Sequence, residues 1–145
     1  FRVTARLPFV DYPNYRRLIP TDTPISFAFS DSAQFAAAVA TVAKLIQGDD
    51  VLVQLQPVGA VDRFALSVRS QDVGTASETV VGWVSDPDFV GVYFDPGRLG
   101  VMLEGVATRG ALEGVDSLKP WVIRQAAEGF ERLRILMPAR SRTTP

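Results

Sequence analysis

The chain has 145 residues, 47% of them hydrophobic and 21% charged, the composition of one ordinary globular domain long enough to bury a core. It contains neither cysteine nor histidine, which excludes disulfides, thiol nucleophiles, imidazole general bases and Cys/His metal centres. A net charge of -1 gives it no long-range field to gather nucleic acid or acidic ligands, and no apolar run approaches the roughly 20 residues that cross a bilayer, so a soluble, cytoplasmic protein is expected.

Phe1 to Leu7 alternate apolar and polar residues, the pattern of a half-buried strand. The run begins without an initiator Met, a cap or a turn, so the chain reads as cut from something longer. Asp11 to Pro20 is a connector whose prolines bar a continuing strand or helix. Ile25, Phe27 and Phe29 then alternate as a strand, and Ser30-Asp31-Ser32 offers side-chain oxygens to the free N–H groups of a helix start. Phe35, Val39, Val42 and Ile46 share one face of a helix predicted over Asp31 to Ile46, with Lys44 and Gly48 suiting its end. Strands are expected at Val51 to Gln56, Arg63 to Ser70 and Glu78 to Ser85.

The order then repeats. Adding 64 to the numbers of the first unit carries Ile25, Phe27 and Phe29 onto Phe89, Gly91 and Tyr93, and Asp31 onto Asp95. It carries Phe35, Val39 and Val42 onto Leu99, Leu103 and Val106. Asp95 as N-cap with Pro96 behind it predicts a second helix over Asp95 to Ala107, ended by Arg109-Gly110. Further strands are expected at Ala111 to Val115, Pro120 to Gln125 and Phe130 to Met137. A pseudo-duplicated α+β fold follows, with two helices side by side on one face of a mainly antiparallel sheet and related by an approximate two-fold.

The carboxylate pairs Asp49-Asp50 and Asp86-Pro87-Asp88 fall at predicted turns, where Asp caps backbone N–H groups, and no third acid converges on either to hold a metal or drive acid/base chemistry. A small-molecule hydrolase using carboxylates lacks that third acid. Gly97, Gly100, Gly105 and Gly110 match no phosphate-loop spacing, and Gly97 and Gly100 inside a helix suggest close packing against a neighbouring backbone. No metal, cofactor or catalytic group is expected. From Trp121 onward five arginines face two glutamates, and Arg142 to Pro145 reads as a flexible tail.

Two segments are chemically unusual for their places. One is the connector Tyr12-Pro13-Asn14-Tyr15-Arg16-Arg17-Leu18-Ile19-Pro20; the other is Ile135-Leu136-Met137-Pro138-Ala139-Arg140, where an apolar run meets a proline and an arginine. Together, about 120 residues apart around a duplicated unit, they resemble the bacterial β sliding clamp, the processivity subunit of the replicative DNA polymerase. The connector into that family's third domain typically reads Phe-Pro-x-Tyr-Arg-Arg-hydrophobic-hydrophobic-Pro, and its chain typically ends hydrophobic-hydrophobic-Met-Pro-Met-Arg. Asp62 to Val68 and Phe94 to Leu99 are similar to a strand and a helix entry of the same domain.

The resemblance implies a DNA-clamp fold in which residues 1–20 are the closing strand of a preceding domain plus the connector, 21–140 the C-terminal domain and 141–145 the tail. It implies a non-enzymatic processivity domain with a cleft for short linear peptides of Gln-Leu-x-Leu-Phe type from polymerases, the clamp loader and repair proteins. Pro13, Arg17, Leu18, Leu136, Met137, Pro138, Ala139 and Arg140 match the cleft, with Pro120 and Phe94 beside them. Met and Pro make an adaptable apolar wall, and an arginine can bind a peptide's polar groups. Ala139 replaces the usual Met and Ser141 stands where a Leu is common. Lys44, Arg98 and Arg109 are the implied DNA-facing cations, sparse enough for non-specific contact with encircled duplex. A ring-shaped homodimer is implied only with further domains present, and the small Ala40-Thr41-Val42-Ala43 helix end implies weak pairing. A second reading keeps the fold and makes it the partner-binding or sensory domain of another protein, such as a transcriptional regulator.

Overall fold

The computed structural model describes residues 14–45, 51–70, 74–106, 108–127 and 129–140. The strand expected at Phe1 to Leu7, Pro13, the helix end at Ile46 to Gly48, the Asp49-Asp50 pair and the tail from Ser141 lie outside these residues.

A 3-10 turn over Tyr15–Leu18 leads into strand β1 (Ile25–Phe29), which buries Ile25, Phe27 and Phe29 as its alternation requires. Helix α1 (Ser32–Leu45) starts where Asp31 Oδ1 accepts the N–H groups of Ala33 (2.9 Å) and Gln34 (3.1 Å). Strands β2 (Val53–Pro57), β3 (Arg63–Ser70) and β4 (Gly74–Val84) complete the first unit. The second unit repeats the order as β5 (Val92–Phe94), α2 (Pro96–Leu103), β6 (Gly110–Gly114), β7 (Trp121–Ala127) and β8 (Phe130–Leu136). β4 begins earlier than alternation predicts because Gly74 to Thr79 have no fully buried side chain; their ladder to β3 forms the strand.

The eight strands run β5-β2-β3-β4-β1-β6-β7-β8 in one antiparallel sheet. Each unit lends its first strand to the other: β5 pairs with β2, and β1 pairs with β6. This exchange is the topological mark of the duplication. It breaks at one place. β1 joins β4 through Phe27–Val84, Ala28–Trp83 and Phe29–Gly82, whereas β5 and β8 are the two ends of the sheet. A single backbone bond takes the place of that ladder, from Ala139 N–H to the Tyr93 carbonyl at 2.8 Å.

α1 packs on β2, β3 and β4, α2 packs on β8, and the helices touch each other, all within one hydrophobic cluster, so both share one face of the sheet as the duplication predicts. Ser32 stitches the helix layer: its N–H donates to the Thr108 carbonyl at 2.9 Å and its Oγ to the Val106 carbonyl at 3.2 Å. Phe64 meets Phe27 and Phe35 edge-on at 5.3 Å, and Trp121 meets Phe94 at 6.0 Å and 88°. Such pairs contribute about 0.5–1.5 kcal/mol each beyond their buried area.

Three sequence expectations are corrected here. The 64-residue offset holds for the caps Asp31 and Asp95 and for the helix positions Leu99 and Leu103, but the strands match at 65. Val92 and Phe94 point inward while Tyr93, assigned to Phe29, is only half-buried. The cause is Ser30, which separates Phe29 from its cap; Phe94 adjoins Asp95 directly. α2 also stops at Leu103, because Gly105 at φ +64° turns the chain there, and Val106 is buried in the connection beyond. Finally, among the described residues no backbone of another element packs against Gly97 or Gly100. A side chain at Gly100 would meet nothing within 4 Å, and one at Gly97 only the Asp95 carboxylate.

Candidate functional site

The seam between β5 and β8 is where the surface opens. An apolar groove of about 740 Å³ lies between α2 and β8, walled by Gly97, Arg98, Val101 and Met102 on the helix and by Arg134, Ile135 and Leu136 on the strand, with Met137 just past the strand and Asp95 at its end. Asp95 caps α2, its Oδ1 accepting the Arg98 N–H at 2.8 Å. Val101 and Met137 leave 65% and 49% of their surface exposed, so the groove presents apolar side chains to water.

A second recess of about 370 Å³ lies between the connector and the β6–β7 turn, lined by Arg17 to Asp22 together with Val115, Lys119 and Pro120. The turn is held by Asp116, whose carboxylate accepts the N–H groups of Leu118 and Lys119, both at 2.8 Å. Those bonds, the one from Leu118 first, hold the Asp116 carboxyl below the usual carboxylate range despite the opposing effect of burial, with the nearby Lys119 ammonium adding to them. The Asp116 carbonyl receives the Trp121 indole N–H at 2.8 Å, which ties the turn to the core. Arg124 on β7 fastens the connector, donating to the Pro20 carbonyl at 2.9 Å and lying 3.9 Å from Glu113.

The two recesses share no lining residue but border the same end of the β7–β8 ladder. Its last rung is Trp121–Leu136, and the next residues outward are Pro120, which lines the second recess, and Met137, which lines the first. The connector's Arg17 and Leu18 thus come to the same end of the sheet as Leu136 and Met137, although about 120 residues separate them in sequence.

No protein-family model matches the chain, and no curated protein matches it in sequence. Solved structures do match. A DNA polymerase III subunit beta sliding clamp from Bartonella birtlesii superposes with a TM-score of 0.81 at 20% identity, covering 94% of this chain and 38% of its own. The Thermotoga maritima beta subunit gives 0.79 at 20% identity, covering 92% and 35%, and the Caulobacter crescentus beta sliding clamp 0.77 at 25% identity, covering 92% and 35%. The chain folds as a bacterial sliding-clamp domain. It spans little more than a third of the length of these clamps.

Within this fold the residues singled out in the sequence fall in several places. Leu136 and Met137 line the groove, Arg17, Leu18 and Pro120 the second recess. Pro138 and Ala139 are half-buried beyond the groove's lining, Ala139 held to Tyr93, and Arg140 is exposed. Phe94 is corrected: it is fully buried against Trp121 and does not line the groove. Pro13 lies outside the described residues. Of the cations assigned to the helix layer, Lys44 is exposed in the last turn of α1, Arg98 lines the groove, and Arg109 sits in the loop after α2. Val42 is wholly buried and unavailable to a partner, whereas Ala40 and Thr41 are exposed.

Sequence reasoning missed the helix wall, Val101 and Met102, and the role of Arg134. The signal was present in the spacing Leu99, Met102 and Leu103: the exposed side of the same helix then begins at Val101.

Proposed function

We propose that this chain is the C-terminal domain of a sliding clamp, a DNA polymerase processivity factor, and that it captures short linear peptides of Gln-Leu-x-Leu-Phe type from polymerases and clamp-loader proteins. It acts without catalysis, as a tether. The observation that carries the reading is that an apolar groove, at Met137, and a connector recess, at Pro120, border the same end of the β7–β8 ladder, on a fold shared with known clamps. An extended peptide suits this shape: leucine and phenylalanine side chains fill the groove beside Met102, Leu136 and Met137, and polar groups reach Arg17 or Arg98.

The DNA component rests on charge. α1 and α2 carry Lys44 and Arg98 as their only charged residues, so no carboxylate within the helices repels a phosphate backbone. Because Arg98 lines the peptide groove, Lys44 and the loop residue Arg109 make the sparse, sequence-independent contact that suits a ring that slides. Encirclement would need the further domains that known clamps possess.

Fluorescence anisotropy with a labelled Gln-Leu-Ser-Leu-Phe peptide tests the reading. The expected dissociation constant for this chain alone is on the order of tens to hundreds of micromolar, or about -5 to -6 kcal/mol. Met137→Ala and Leu18→Ala should each weaken binding by about 1–2 kcal/mol, and Asp88→Ala should leave it unchanged. Unaltered affinity in both truncations would remove the site.

A further inference from the structure

We propose that Arg134 is the positioning residue of the groove: from β8 its guanidinium grips the C-terminal carbonyls of α2 and fixes the separation of the two walls. The proposal deepens the peptide-site reading and rests on it. α2 is only eight residues long and includes Gly97 and Gly100, each of which weakens a helix by roughly 1 kcal/mol relative to alanine. At its end the Glu104 N–H is shared between the Gly100 and Val101 carbonyls and the Val106 N–H goes to the Leu103 carbonyl. Arg134 adds a side-chain donor to this last turn. Its Nη1 donates to the Met102 carbonyl at 2.7 Å and to the Glu104 carbonyl, with the Val101 carbonyl at 3.5 Å. A permanent cation is also the favoured charge at a helix C-terminus.

The geometry gives this contact a mechanical consequence. Val101 and Met102 form the helix wall, and their carbonyls are two of those held. Ile135 and Leu136, which follow Arg134 on β8, and Met137 just beyond the strand form the strand wall. One side chain therefore spans the groove's two sides at its base, and binding does not have to order α2 first. Because Nη1 is directed at neutral carbonyls, the residue acts through α2 and not by pairing with a ligand's charge.

The test compares Arg134→Met, which keeps an apolar stem without donors, with Arg134→Lys, which keeps a cation. Amide hydrogen exchange by NMR and affinity for Gln-Leu-Ser-Leu-Phe, with a free carboxylate and with a blocked C-terminal amide, are both read. Arg134→Met should speed exchange at the C-terminal end of α2 about tenfold while β1 and β4 keep their protection, and should weaken both peptides about tenfold and equally. Arg134→Lys should restore both to within about threefold. Unchanged α2 exchange in a folded Arg134→Met variant overturns the proposal, as does a loss confined to the carboxylate peptide, which would make Arg134 a ligand contact. If the unmutated chain binds neither peptide, the peptide-site reading fails and the proposal fails with it, whatever the exchange shows. If Arg134→Met does not fold, Arg134→Gln replaces it under the same criteria.

Discussion

Asp116 illustrates how much one turn residue holds. Its carboxylate fixes the β6–β7 turn through two backbone N–H groups, and its own carbonyl orients the Trp121 indole at the centre of the core. Removing the carboxylate in Asp116→Ala should cost about 1 kcal/mol at pH 7, as for a helix cap. The folded carboxyl sits below its ordinary range, so its contribution is fully present above the unfolded value of about 3.9 and disappears as pH falls through the lower folded value. Urea unfolding at pH 7 and pH 3 should therefore show a gap between the unmutated chain and Asp116→Ala that narrows in acid. A gap that widens would reverse the sign of the argument. Asp62 is lowered too, chiefly by its hydrogen bonds from Arg63, but this pair stands open to water and contributes little.

At the scale of elements, caps and inward-facing alternation were legible in the sequence, and helix ends were not. Asp31 and Asp95 announce their helices through a chemistry that few residues share. Glycine is ambiguous. Gly105 ends α2 by adopting a positive φ, while Gly110 is small because the Phe29 ring lies where a side chain would go, at 2.8 Å; the letter is the same for both. The strand offset was hidden because Phe89, Gly91 and Tyr93 also alternate plausibly, and only the missing residue before Asp95 shifts them. Gly82 and Gly100 separate two further uses. At Gly82 a methyl would overlap the Ala28 carbonyl and press on the Phe64 ring, so Gly82→Ala should cost about 1–3 kcal/mol in thermal unfolding. At Gly100 a methyl meets nothing, so Gly100→Ala should stabilise by about 0.5–1 kcal/mol. A destabilised Gly100→Ala would show that the exposed side of α2 is more crowded than the geometry indicates.

Among the described residues the eight strands form one sheet whose two ends, β5 and β8, come together without completing a ladder. The first unit completes its exchange with a three-rung ladder, β1 to β4; the second completes it with the one bond from Ala139 to Tyr93. Beside that incomplete seam, α2 and the end of β8 leave the apolar groove open. The end motif was legible because Met137-Pro138 and the Arg16-Arg17-Leu18 connector are unusual in composition; the helix wall was not, because Val101 and Met102 look like ordinary core residues until the fold turns one of them outward. An NMR titration of the labelled chain with Gln-Leu-Ser-Leu-Phe reads both walls and the connector together. The account predicts that Leu18, Met102 and Met137 shift in concert along one saturation curve, with β3 and the exposed face of β4 unmoved. Shifts confined to β3 and β4, or movement of the groove without the connector, would contradict a single peptide site at this end of the sheet.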